Sequence, residues 1–186
     1  MAKARAASKT STDAIAILKA DHEKVKKLFK EFERLHGEDA DDEAEQVAKQ
    51  ICNELTIHAT VEEEIFYPAV RAVIDDEDLL DEAEVEHASA KDLIAQIESM
   101  TAADDKYAAK VIVLGEYIDH HVKEEQDEMF PQAKKSKIDM DALGAEILSR
   151  KKELKAEMGL DEEDDEAQAA SSENGRASQN THAGRR

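Results

Sequence analysis

The chain has 186 residues and carries 45 Asp and Glu against 25 Lys and Arg, a net charge of −20. Such a surface repels polyanions, so nucleic acid and anionic membranes are not expected partners. Two prolines, six glycines, 38% charged residues and a lone cysteine favour long exposed helices and exclude a disulfide framework or a thiolate zinc cluster.

Residues 1–11 are basic and rich in small side chains but hold no apolar core segment. They read as a flexible N-terminal arm, not a secretory signal. No run is long enough to cross a membrane, and the expected setting is cytoplasmic. Ser11 or Thr12 is placed to cap the first helix, with Asp13 favouring its positive end. Ile15, Leu18, His22, Val25, Phe29 and Phe32 then recur at steps of three and four, the inward stripe of a bundle helix, and Gly37 closes it. A second helix from about Glu43 carries Val47, Ile51, Leu55, His58, Glu62 and Ile65, and is expected to kink or end at Pro68. A third carries Leu80, Ala83, His87, Ala90, Ile94 and Ile97. A fourth carries Tyr107, Val111, Leu114, Ile118, His121 and Glu125 and meets Pro131.

The expected fold is therefore all-α, with residues 12–135 forming an antiparallel up-down four-helix bundle. Residues 136–160 add a C-terminal amphipathic helix with Leu143, Ile147 and Leu154 on one side, ended by Gly159. Residues 161–186 are acidic, then rich in Ser, Asn, Gly and Gln, and read as a disordered tail.

The chain repeats itself. His58 to Pro68, HATVEEEIFYP, returns as His121 to Pro131, HVKEEQDEMFP. Each copy has a histidine, a glutamate four residues on (Glu62, Glu125), a phenylalanine, and a proline ten residues after the histidine. His22 precedes His58 by 36 residues, and His87 precedes His121 by 34. Two hairpins of one design imply an approximate twofold axis.

Six polar groups interrupt the inward stripes: His22, His58, Glu62, His87, His121 and Glu125. Unpaired in a core, each charge would cost several kcal/mol; two bound cations would cancel it. Imidazole and carboxylate without thiolate suit iron, manganese or zinc. Glu62 and Glu125 can bridge two ions, with His22 and His58 on one and His87 and His121 on the other. The His-x-x-x-Glu order and the nitrogen-rich set differ from the Glu-x-x-His pairs of ferritin-type bundles. His120 lies about 100° round the helix from His121 and reads as a peripheral or surface group. Asp21 and Glu86 read as exposed helix charges in preference to groups that orient imidazoles. Tyr117, one turn from His121, is read as ordinary packing in preference to a hydrogen bond near the metals. Cys52 reads as a core thiol, His36 as a helix-end residue and His182 as part of the tail.

These residues resemble the hemerythrin-like, HHE cation-binding family over roughly Thr12 to Gln132. The resemblance rests on the Asp-His of the first helix, both His-x-x-x-Glu turns with their proline endings, and the third-helix histidine. It implies a non-haem centre of two iron ions, oxo- or hydroxo-bridged. In it His22, His58, His87 and His121 are terminal ligands and Glu62 and Glu125 bridge. It puts iron ahead of manganese or zinc. It also implies dioxygen, peroxide or nitric oxide as small ligands, in oxidative stress or in iron or oxygen sensing. The alternatives are a peroxide-degrading or oxidase-like di-iron enzyme, and a metal-dependent regulatory or interaction module whose protein partner the sequence does not specify. One departure stands out. Oxygen-carrying hemerythrins have a second third-helix histidine one turn after the first, and here that position is Lys91. Unless Glu63, Glu124 or His120 fills the gap, the ion pair is more open, which suits reaction or sensing better than reversible carriage.

Overall fold

The computed structural model describes residues 12–38, 40–74 and 77–160. The expected arm, the tail and His182 lie outside the described residues. Asp13, not Ser11 or Thr12, caps the first helix: its Oδ1 accepts from Ala16 N at 2.9 Å, satisfying one of the amides a helix start leaves open. Helix α1 runs Ala14–Gly37 and α2 runs Asp41–Val61, continuing through a π turn, Glu62–Phe66, into α3, Tyr67–Arg71. Helix α4 runs Glu77–Glu98. Helix α5, Tyr107–Glu124, continues through a second π turn, Glu125–Met129, into α6, Phe130–Lys135. Helix α7, Met140–Glu157, comes last. It is capped by Asp139, which accepts from Ala142 N at 3.0 Å. Its end carries Gly159 at φ +69°, where Leu160 N returns to Lys155 O, an arrangement glycine accepts without strain.

Among the described residues the architecture is helical throughout, and none of these helices is long and apolar enough to cross a membrane. The α1/α2 and α4/α5 hairpins form the four-helix bundle, with α1 also against α5 and α2 against α4. Helix α7 packs on α1, α2 and the first π turn, so it leans on one hairpin only. A Cβ at Gly144 would come within 1.7 Å of the Thr12 carbonyl oxygen; the missing side chain is what lets α7 approach the start of α1.

The expected stripes are buried at most positions, and the exception beside the first proline has a backbone cause. Neither long helix ends at its proline. Proline offers no N–H, and each chain accommodates it by widening the turn before it: Tyr67 N bonds Glu62 O, and Phe130 N bonds Glu125 O. The extra residue rotates the succeeding side chains by about 100°. Phe66 and Tyr67 therefore enter the core where Ile65 was expected, and Ile65 is half-buried. Met129 and Phe130 do the same in the second copy. Burying a side chain of this size contributes about 1.5–3 kcal/mol, which fixes the phase of each short helix. Phe29, Val47 and Ile118 are also only half-buried. The apolar interior is divided in two. One part surrounds Ile15, Leu18, Phe66 and Leu80; the other surrounds Val25, Ile51, Ile94 and Leu114. The six polar groups lie between them.

Candidate metal centre

His22 comes from the middle of α1, His58 from the end of α2, His87 from α4 and His121 from α5. Glu62 and Glu125 are the first residues of the two π turns, a feature frequent at functional sites. All six are buried, the two carboxylates almost completely, at 0% and 1% exposure.

The four Nε2 atoms converge. His22 and His58 present theirs 3.0 Å apart, and His87 and His121 theirs 3.1 Å apart. Each carboxylate reaches one imidazole of each pair. Glu62 Oε2 lies 3.1 Å from His58 Nε2 and 3.5 Å from His87 Nε2. Glu125 Oε2 lies 3.2 Å from His22 Nε2 and 3.6 Å from His121 Nε2. The two glutamates thus span the two histidine pairs in a crossed arrangement that mirrors the repeat.

The outer ring nitrogens are engaged as well. Asp21 Oδ2 lies 3.4 Å from His58 Nδ1, Glu86 Oε2 2.8 Å from His121 Nδ1 and Glu63 Oε1 3.0 Å from His87 Nδ1. A carboxylate there accepts from Nδ1–H, which leaves the Nε2 lone pair free and turned inward. Gln126 presents its side-chain amide to His22 Nδ1 at 3.0 Å; with its oxygen toward the ring it gives the same tautomer. Asp21 and Glu86 are therefore not exposed helix charges: one is buried, the other partly, and both face an imidazole.

Without cations the cluster is electrostatically frustrated. Burial, with Glu125 close by, pushes the Glu62 carboxyl well above its ordinary value. Burial acts the same way on Glu125, but the neighbouring His121, His22 and His58 hold it below the usual range. Burial, with His121 nearby, pulls His87 down to about 4, and burial also lowers His22. On His121 burial is outweighed by Glu125 and Glu86, and the net direction is upward. Glu62 Oε1, Glu62 Oε2 and Glu125 Oε2 are fully buried with no hydrogen-bond partner among the described residues. Orphaned carboxylate oxygens are costly, and here they face unprotonated ring nitrogens. The donor set fits divalent or trivalent cations. His22, His58, Glu62 and Glu125 form one group close enough to hold an ion, and Glu62, His87 and His121 another.

Tyr67 was not singled out by its spacing, yet its hydroxyl lies 3.0 Å from Glu125 Oε1 and 3.2 Å from His87 Nε2. The π turn brings it in, and that turn was legible only as a proline. Tyr117 is 51% exposed and stands away from the cluster. Lys91 reaches outward to Glu63 Oε2 at 2.5 Å. The contacts of Glu63, Glu124 and His120 lie on the outer side: Glu63 with His87 Nδ1, and His120 with Glu124 at 3.3 Å on the surface. A cavity of about 20 Å³ adjoins the cluster, room for a molecule the size of water. Its lining includes the four imidazoles, Lys91 and the apolar Val25, Leu55 and Ile94. Cys52 is buried and free, its thiol pushed by burial to about 12, as a core thiol would be.

The chain matches the family model described as the Hemerythrin HHE cation binding domain over residues 13–133. Among solved structures it is similar to a Hemerythrin HHE cation binding domain-containing protein from Mycobacterium kansasii. The TM-score is 0.66 at 21% identity, over 78% of this chain and 88% of that one. Among curated proteins it is 29% identical over 117 residues to a DNA nickase from Nostoc sp. strain PCC 7120, over 61% of this chain but 31% of that protein. The chain therefore spans about a third of that relative's length.

Proposed function

The chain belongs to the hemerythrin HHE cation-binding family, and from that premise we propose that it is a non-haem di-iron protein whose small ligands are dioxygen, peroxide or nitric oxide, acting in oxidative stress or in iron or oxygen sensing. The observation that carries this reading is the crossing of two buried glutamates over two histidine pairs, with three carboxylate oxygens that nothing else among the described residues satisfies. His22, His58, Glu62, His87, His121 and Glu125 would hold the metals. Bound there, two iron ions supply two one-electron changes at one place. Iron over manganese or zinc rests on the family; the nitrogen and oxygen donors alone admit all three.

The protein's own residues set the conditions. Outer carboxylates on His58, His87 and His121, and the Gln126 amide on His22, fix each ring with its Nε2 inward. Tyr67 keeps a hydroxyl proton at Glu125 Oε1. The apolar part of the cavity lining limits entry of bulk water and admits a small neutral molecule. The contacts of Lys91, Glu63, Glu124 and His120 face away from the Nε2 atoms, which favours reaction or sensing over clean reversible carriage. A cytoplasmic setting belongs to the same reading and accords with a lone buried thiol. Strand nicking is named for a relative of which the match covers only 31%; a chain of net charge −20 is poorly suited to bind DNA.

The test is to load the protein anaerobically with ferrous iron and expose it in turn to dioxygen, peroxide and nitric oxide while recording the optical spectrum. A saturable spectral change with at least one of them, lost in His58→Ala, is expected. No change with any of the three contradicts the reading. Steady oxygen release from peroxide by the loaded protein would select the peroxide-degrading enzyme within it.

A further inference from the structure

The repeat supplies each half of the centre with two histidines, a glutamate and an acidic residue before the first histidine, but one contact comes from outside it. Asp21 and Glu86 occupy equivalent places, each before the first histidine of its hairpin and each facing the ring of the second. Glu86 turns its other oxygen to exposed His120 at 3.6 Å. Asp21 turns its other oxygen to Lys151 Nζ on α7. That pair is enclosed, the Lys151 and Asp21 side chains being 15% and 12% exposed. The adjacent residue, Arg150, holds Glu64 Oε2 at 2.7 Å within the first π turn. Helix α7 itself is seated by buried Leu143, Ile147 and Leu154 and by the close approach at Gly144. The second hairpin has no equivalent helix packed on it among the described residues.

We propose that α7 is a strut for one half of the centre, and that Lys151 is a positioning residue which, through Asp21, holds His58 in place for metal at the His22/His58 pair. Lys151 neutralises Asp21 and pins one of its oxygens, so the other stays at His58 Nδ1. Without that partner, Asp21 is a nearly buried, half-paired charge one rotation from water, and turning outward releases the ring. Groups that orient ligating histidines typically govern metal affinity by 10–100-fold. Linkage requires the converse: metal at this pair tightens the docking of α7. The inference rests on the di-metal reading above.

The test is an anaerobic titration of the full chain with ferrous ion, comparing wild type, Lys151→Met, Lys151→Arg and Arg150→Met. Wild type should take up two equivalents. Lys151→Met should bind one of them at least about tenfold more weakly and keep the other. Lys151→Arg should restore both, and Arg150→Met should resemble wild type, because its partner Glu64 touches no ligand ring. Hydrogen exchange on wild type supplies a check that needs no variant: amides of residues 140–157 should slow on iron loading. Two equivalents bound alike by wild type and Lys151→Met would overturn this inference while leaving the di-metal reading intact. Equal weakening of both equivalents, or no slowing of α7, would also overturn it. No iron uptake by wild type would overturn the di-metal reading itself.

Discussion

The Tyr67 hydroxyl lies 3.0 Å from Glu125 Oε1, whereas Phe130, its counterpart in the second copy, stacks on His22 with ring centroids 5.9 Å apart. The pseudo-twofold centre is thus chemically lopsided: one pole has a phenol and the other only a ring face. In metal-free protein the phenol hydrogen bond serves a buried charge, a class worth about 1.5–3 kcal/mol. Tyr67→Phe should lower metal-free stability by about that amount. Iron loading should narrow the gap to below about 1 kcal/mol, because cations then satisfy the carboxylate. Denaturant melts of both proteins with and without iron check this; an unchanged gap would place the phenol's role elsewhere.

Glu62 is the clearest burden on the stability of the metal-free chain. Its two oxygens are orphaned in the metal-free chain. Glu62→Gln should therefore raise metal-free stability by about 1–3 kcal/mol while abolishing uptake of a full pair of ions. The pH dependence has a definite sign. The folded carboxyl titrates well above 4.5, so above pH 4.5 the folded state retains a proton that the unfolded chain has lost. Stability then falls as pH rises toward the folded value. The advantage of Glu62→Gln should widen over that range and vanish below about pH 4. Urea melts across pH 4–8 would show this; an advantage independent of pH would contradict it.

Glu86 touches buried His121 at 2.8 Å and exposed His120 at 3.6 Å. If its work is to orient the buried ring, Glu86→Ala should weaken iron binding by roughly 10–100-fold. His120→Ala, 64% exposed at the side chain, should leave affinity within about threefold, the scale of a contact in solvent. Competition with a chelator of known affinity measures both. Equal losses would mean that the surface pair matters as much as the buried one.

Gly144 sets how closely α7 approaches α1. Its missing Cβ faces a backbone carbonyl, which cannot swing aside as a flexible side chain can. Gly144→Ala gains about 1 kcal/mol of helix propensity and loses about 1–3 kcal/mol to overpacking. A net loss is expected, with faster hydrogen exchange in α7 than in α4. A stabilised variant would show that the approach is looser than the structure indicates.

The sequence announced the bundle because spacing is decisive for helices: Leu80, Ala83, His87, Ala90, Ile94 and Ile97 are all buried. It also announced the six buried polar groups, since two copies of one pattern fix each other's phase and place His121, not His120, inside. Part of what it hides traces to one backbone event. A proline marks a break but does not say that the turn before it will widen, so spacing points to Ile65 where Phe66 and Tyr67 enter, and to Tyr117 where Tyr67 stands. Asp21 and Glu86 escape the sequence for a second reason: each sits one residue before a buried histidine, and its partner ring belongs to the neighbouring helix of the hairpin, which spacing within one helix cannot reveal. Lys151 lies 130 residues from Asp21, and its role depends wholly on where α7 docks.

On the proposed reading, Glu62 and Glu125 together hold two iron ions between the histidine pairs. This is tested most directly by counting iron, manganese and zinc per folded chain after anaerobic loading from an equimolar mixture and removal of loose metal, for wild type and for the Glu62→Gln, Glu125→Gln double variant. Two iron atoms per wild-type chain are expected, and none retained by a double variant that remains folded. Wild type with less than one metal per chain, with zinc or manganese in iron's place, or a double variant that keeps both iron atoms, would contradict it.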